Sequence, residues 1–183
     1  LSQSDSNDTY ALTIDASGNI SIQYYVNGTN RVLYTSSTDT VKRNVWHHVA
    51  LVCDGDAGTY TSRIYLDGVQ VLSWTDPYTW GSDGHEQDFG VGYYSYSNNN
   101  YFGGYIADLT INKSIAKYTS NFTPPTAPVG NSGAALYLPF DNAGIFDKTG
   151  NHAILLSGDT ATSTTYTKYA TTSVFTDTGG MLI

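Results

Sequence analysis

The sequence predicts an all-β fold, an antiparallel β-sandwich of the jelly-roll kind. Aromatic residues make up 14 % of the 183 residues, and Tyr alone contributes 16. Residues of high β-propensity and turn formers dominate the remainder. Short runs of alternating apolar and polar residues recur along the chain, with Gly, Asn or Asp at each corner, as in a sandwich or jelly roll. The only helical candidate is a brief turn at residues 114–118.

Each element has its own signal. Residues 10–14 (Tyr-Ala-Leu-Thr-Ile) read as a strand, and Asp15-Ala16-Ser17-Gly18 as a hairpin turn. Residues 19–26 alternate: Ile20, Ile22, Tyr24 and Val26 lie on one face, Ser21, Gln23 and Tyr25 on the other. That is a half-buried strand. Asn27-Gly28 marks the next corner, followed by Arg31-Val32-Leu33-Tyr34. The run from Trp46 to Val52 is strand-like, and the apolar runs around Asp67-Gly68 form a hairpin, because Asp-Gly readily takes the positive φ angles of a type I′ turn. A further strand is expected over 103–111, then a closing segment from Ile115 to Pro125. Trp46, Val49 or His48, Leu51, Ile64, Leu66, Ile106 and Leu109 are expected to share one core between two sheets. Pro124, Pro125 and Pro128 close this unit, and Gly130-Asn131-Ser132-Gly133 reads as a flexible joint.

Four blocks, Trp46–Val52, Ile64–Val71, Gly103–Ile111 and Ile115–Pro125, resemble in order and spacing the laminin-G-like branch of the concanavalin A-like lectin/glucanase superfamily. The form with this closing segment is similar to that of phage tail fibres and other virion surface proteins. Within that resemblance, residues 135–141 with Asp147-Lys148-Thr149-Gly150-Asn151 look like the opening of a domain, and Thr172–Thr176 like its second strand. The expected organisation is therefore a sandwich over 1–128 that lacks its opening strands, a linker over 129–134, and opening strands over 135–183. The sandwich is then truncated or permuted. Either the chain is a window across tandem domains, the preferred arrangement, or its C-terminal segment folds back to complete the first unit.

Composition narrows the partners. With Lys and Arg contributing 8 residues, a net charge of −8 and a pI near 4.5, the chain has no basic patch for nucleic acid or anionic membrane. Cys53 is the only cysteine, which rules out an intrachain disulfide and makes a buried, inert thiol the expectation. No signal-peptide pattern and no apolar run long enough to span a bilayer is present. Leu1 is not an initiator residue, so the natural N-terminus is expected upstream.

The superfamily includes glucanases, which place Glu, Asp and Glu on one strand. Here Glu86 is the only glutamate; Asp88 shares its face if the chain is extended, but no third acid follows. Glycoside hydrolysis needs a positioned pair of carboxylates, so no enzyme is expected. His47 and His48 are adjacent on a strand and point to opposite faces, so they cannot ligate one metal together. One is expected to pack inward. Calcium is the cofactor the resemblance implies, with Asp147 and Asn151 from the opening motif and Asp108 on the terminal strand as its ligands. For ligand binding the aromatic loop is the candidate: Trp74, Tyr78 and Trp80 precede an acidic stretch, and Tyr94, Tyr96, Asn98, Asn99 and Tyr101 follow it. Flat apolar rings with hydrogen-bonding tips suit sugar stacking, and equally suit packing between subunits; packing into the core is a third reading, with Tyr93 the ring expected there. Sequons begin at Asn7, Asn19, Asn27, Asn112 and Asn121 and matter only in a host that glycosylates.

The expected function is a non-catalytic adhesion or carbohydrate-binding module of a virion or extracellular fibre. A purely structural assembly domain is the alternative, and a glycoside hydrolase the remote one. Expected partners are a surface glycan or neighbouring fibre subunits in a homo-oligomer or tandem array, with no membrane insertion.

Overall fold

Alternating sequences become strands throughout. The computed structural model describes residues 2–4, 9–26, 29–36, 40–56, 59–76, 89–93, 101–141, 145–169, 172–177 and 180–182, and among them strands form but no helix. The strands of the first half are β1 (Ser2–Ser4), β2 (Thr9–Ile14), β3 (Ile20–Val26), β4 (Thr29–Thr35), β5 (Val49–Asp56), β6 (Thr59–Leu66) and β7 (Val69–Asp76). Those of the second are β8 (Phe89–Val91), β9 (Gly104–Ile106), β10 (Leu109–Ile111), β11 (Leu136–Leu138), β12 (Leu155–Ser157), β13 (Ala161–Ser163), β14 (Ser173–Thr176) and β15 (Gly180–Leu182). Two units result: Asp5–Glu86 with Ser114–Pro124, and Leu1–Ser4 with Gln87–Lys113 and Pro125–Ile183. The turn expected at 114–118 contains no helix.

The first unit is two antiparallel meanders, β2-β3-β4 and β5-β6-β7. Asp15 builds the β2–β3 turn: its Oδ1 accepts the N–H groups of Ser17 (2.8 Å) and Asn19 (3.0 Å). Gly18 closes the turn at φ 77°, where Asp15 and Gly18 give the short-loop chemistry that hairpins favour. Nδ2 of Asn19, a sequon residue, donates to Asp15 Oδ2 at 2.6 Å. Ile20 and Ile22 are fully buried while Ser21 and Gln23 are only half-buried, the register read from the alternation. They pack with Ile64, Leu66 and Trp74 of the second meander, flanked by Leu12, Ile14, Val49 and Leu51. Each fully buried isoleucine contributes roughly 1.5–3 kcal/mol.

Strand β6 is buried on both sides. Ile64 and Leu66 face the core, whereas Tyr65, paired with Ala50, faces the other way and is also fully buried. Its cover is the closing segment. Tyr118 and Phe122 stack on each other (3.6 Å, 7°), and Tyr65 meets both edge-on at 6.5 and 5.5 Å. His48 meets the same two rings at 6.1 and 5.5 Å, so it is the inward-packing histidine of the pair. Both histidines precede β5, which begins at Val49.

The Asp67-Gly68 turn has φ angles of 50° and 80°, as a type I′ turn requires. Asp67 also ties the hairpin tip to the chain before β5. Its Oδ1 accepts the His48 N–H at 2.9 Å, and Oδ2 meets His47 Nδ1 at 2.7 Å. Partial burial pushes the Asp67 pKa up, but the His48 N–H and the His47 ring outweigh this and hold it below 3.8. Gly68 accepts the Phe122 N–H at 2.9 Å, and a Cβ there would overlap the Phe122 carbonyl oxygen.

The second unit joins strands far apart in sequence. One sheet runs β12-β15-β8-β1, a second β13-β14-β9, and β10 pairs with β11. The C-terminal segment thus folds back: Val174 pairs with Ile106, Leu138 with Leu109 and Met181 with Val91. Val91, Leu136, Leu138, Phe140, Val174 and Met181 form its core, with Ile106, Leu109 and Ile111 against them. The single core expected from sequence is therefore two. Val49, Leu51, Ile64 and Leu66 belong to one, Ile106 and Leu109 to the other, because β9 and β10 take their partners from the C-terminal segment. Trp46 is half-buried and belongs to neither set of core residues.

Candidate functional site

The sheet β13-β14-β9 presents two unlike faces. Val174 and Ile106, a cross-strand pair, turn into the core. The next pair, Phe175 and Tyr105, therefore turns outward, because successive side chains alternate across a strand. Tyr105 lies between two rings, Phe175 at 5.1 Å and 45°, and Tyr166 at 4.9 Å and 61°. Tyr105 and Phe175 are half-buried, while Tyr166 is 59 % exposed.

Small residues make room for these rings. Ala161 is opposite Phe175, and Ser163 opposite Ser173. Ser173 Oγ donates to the Tyr166 carbonyl at 2.6 Å, fixing the segment that carries the exposed ring. The same segment is held at its far end, where Tyr169 OH donates to the Pro125 carbonyl at 2.7 Å. Asp177 lies one residue past β14 with its carboxylate beside Gly103, and its N–H donates to Asp159 Oδ1 at 3.3 Å. The result is an amphipathic aromatic face with carboxylates at its margin.

This face borders one end of the aromatic stretch expected to bind ligand. Tyr93 and Tyr101 form an antiparallel bridge, and Phe102 N–H donates to the Gly92 carbonyl at 2.7 Å. Thr176 Oγ1 donates to the Phe102 carbonyl at 2.5 Å, tying this point to β14. Tyr101 is 41 % exposed. Tyr94, Tyr96, Asn98 and Asn99 lie outside the described residues, as do Tyr78, Trp80, Glu86 and Asp88. Trp74 is a correction: it is only 6 % exposed and packs in the core of the first unit, opposite the small Ser62. A ring enclosed by Ile20, Ile22 and Ile64 has no face to offer a sugar. Tyr105, Tyr166 and Phe175 were not singled out from the sequence. Alternation within Ser173-Val174-Phe175-Thr176 is the local signal that would have turned Phe175 away from Val174.

The residues expected to hold calcium do other work. Asp147 is fully buried as a side chain, and its carboxylate is enclosed by donors. Oδ1 accepts the N–H groups of Tyr137 and Thr149, both at 3.0 Å. Oδ2 accepts Thr149 Oγ1 at 2.6 Å and the N–H groups of Asn151 and His152 at 3.2 Å, with His152 Nδ1 at 2.9 Å. Burial pushes the Asp147 pKa up, but the Thr149 hydroxyl and these N–H groups outweigh it and hold the carboxyl well below its ordinary range. Asn151 reaches this carboxylate through its backbone N–H. Asp108 is engaged elsewhere, accepting the Val129 N–H at 2.9 Å and adjoining Tyr137. Burial and then the Asp108 charge push the Tyr137 pKa up to about 12, so its hydroxyl stays neutral. Calcium requires six to eight oxygen ligands, and among the described residues no group of three or more His, Cys, Asp or Glu side chains is placed to hold a metal. These residues do not fit the ion.

Among the described residues, no helix is long and apolar enough to cross a membrane. No curated protein and no solved structure matches the chain. The laminin-G model of the concanavalin A-like lectin/glucanases superfamily matches residues 1–116, more than half of the chain. It spans the two meanders, the Asp67-Gly68 hairpin and β9 and β10. The chain is a laminin-G-type member of the concanavalin A-like lectin/glucanase superfamily.

Proposed function

We propose that the chain is a non-catalytic adhesion module that binds a surface glycan, displayed on a virion or an extracellular fibre. The observation that carries this reading is the outward aromatic face of Tyr105, Tyr166 and Phe175, with Asp177 at its margin. Tyrosine pairs an apolar ring that stacks on the C–H face of a pyranose with a hydroxyl that bonds its oxygens. The lone glutamate supports binding without hydrolysis, because the Glu, Asp and Glu set that the superfamily's glucanases place on one strand requires two. Display on a virion or fibre rests on the likeness of the closing segment, Ile115 to Pro125, to tail-fibre sequences. The test is a glycan array probed with the intact chain, with reducing-sugar release measured in parallel. Saturable binding without hydrolysis is the expected result; failure to bind any glycan class overturns the reading.

A second reading, an assembly domain that builds the fibre, is favoured by one feature. Strand β12 is the outermost strand of its sheet and exposes Leu155 (63 %) and Leu156 (50 %). Apolar edge strands without charged or proline guards are templates for pairing with another chain. Sedimentation velocity separates the readings: a monomer that retains glycan binding favours adhesion, and an oligomer without glycan binding favours assembly.

A further inference from the structure

We infer that the aromatic face takes a soluble, neutral glycan, one pyranose ring at a time on Tyr166, and not a flat polysaccharide surface or an acidic glycan. This rests on the glycan-binding reading above and names its ligand class. Ring geometry carries the first half. A flat β-1,4-linked chain lies on aromatic rings that share one plane along its length. Here the ring of Tyr105 is tilted 61° from Tyr166 and 45° from Phe175, so no two neighbouring rings of the triad form a common plane. Tyr105 and Phe175 are half-buried and serve as the backing of the face, whereas Tyr166 exposes more than half of its surface. Among these three rings, Tyr166 alone therefore offers one sugar ring a full stacking surface, and a chain stacked there turns away from the other two. A twisted or branched oligosaccharide does so, and a ribbon does not.

Charge carries the second half. Two carboxylates, those of Asp177 and Asp159, adjoin the margin, and both residues are exposed. Carboxylates accept from sugar hydroxyls but repel sulfate, sialate and uronate groups. Among the described residues from 159 to 177, Lys168 is the one cation, and its Nζ lies over the Tyr169 ring at 5.6 Å. The chain's net charge of −8 adds to the same discrimination.

The experiment titrates the intact chain with maltoheptaose as the twisted neutral probe, with insoluble cellulose as the flat one, and with a sulfated oligosaccharide as the acidic one. Tyr166→Ala and Tyr166→Phe are titrated alongside, and melting curves confirm that both remain folded. Binding of maltoheptaose, weakened tenfold or more by Y166A and preserved in Y166F, supports the inference, as does indifference to the other two probes. Tyr166-dependent binding of cellulose or of the sulfated probe overturns it while leaving glycan binding intact. Glycan binding unchanged in Y166A moves the site elsewhere and also overturns it. If neither these probes nor a wider array gives binding, the adhesion reading itself falls.

Discussion

Asp147 shows how one buried carboxylate organises a loop. Residues 147–152 curl around it so that their N–H groups converge, together with Tyr137 from β11. Hydrogen bonds to a charged acceptor are the strong ones, and leaving several donors without their acceptor at once is costly. Asp147→Ala is therefore expected to destabilise the protein by about 3 kcal/mol, readable as a loss of roughly 6–12 °C in melting temperature. The same geometry predicts acid lability. The folded-state pKa values of Asp147 and Asp67 are depressed, so their stabilising contribution is present above the unfolded value near 3.8 and lost as pH falls through the folded values. Melting temperature should drop steeply below about pH 4, and less steeply in Asp147→Asn; an unaltered acid profile in that variant would contradict the assignment. Because the donors leave no room for a cation, chelator and millimolar calcium should give the same melting temperature. A rise of several degrees with calcium would show that a metal is bound after all.

At the level of elements, what the sequence discloses is local. The Asp67-Gly68 hairpin was legible because its two positive φ angles follow from two adjacent residues. Strand β3 was legible because Ile20 and Ile22 alternate with Ser21 and Gln23. Trp74 was misread because its burial depends on what lies across the sheet: the small Ser62 beside it and the isoleucines of β3 beyond. The aromatic face was invisible for a related reason. Tyr105 and Phe175 become neighbours only through the pairing of β9 with β14, 70 residues away, and Tyr166 is not in a strand at all. The fold-back was one of two arrangements open in the sequence, since an opening strand pair looks alike whether it completes its own unit or starts another. The alternation across β14 can be tested directly. Val174→Asp places a charge in a core without a partner and should abolish cooperative unfolding of the second unit. Phe175→Ser, on the opposite face, should cost no more than about 2 kcal/mol in a denaturant titration. Equal effects would mean that the two faces are not distinct.

Across the whole molecule, aromatic rings are put to two uses. The meander unit holds the Asp67-Gly68 hairpin, which lies within the matched residues 1–116, and its aromatic cluster of His48, Tyr65, Tyr118 and Phe122 is committed to packing. The fold-back unit carries the exposed rings. An acidic chain of net charge −8 that offers aromatic rings to solvent suits a neutral, hydroxyl-rich partner better than a phosphate backbone or an anionic bilayer. The measurement that bears most directly on this is carbon–proton NMR of the tyrosine rings, recorded while a neutral oligosaccharide is titrated into the intact protein. Glycan binding at the proposed face predicts saturable shifts of the Tyr166 and Tyr105 ring signals, with the buried Tyr65 unmoved. Binding that leaves Tyr166 and Tyr105 unshifted, or the absence of any shift with every glycan offered, would contradict it.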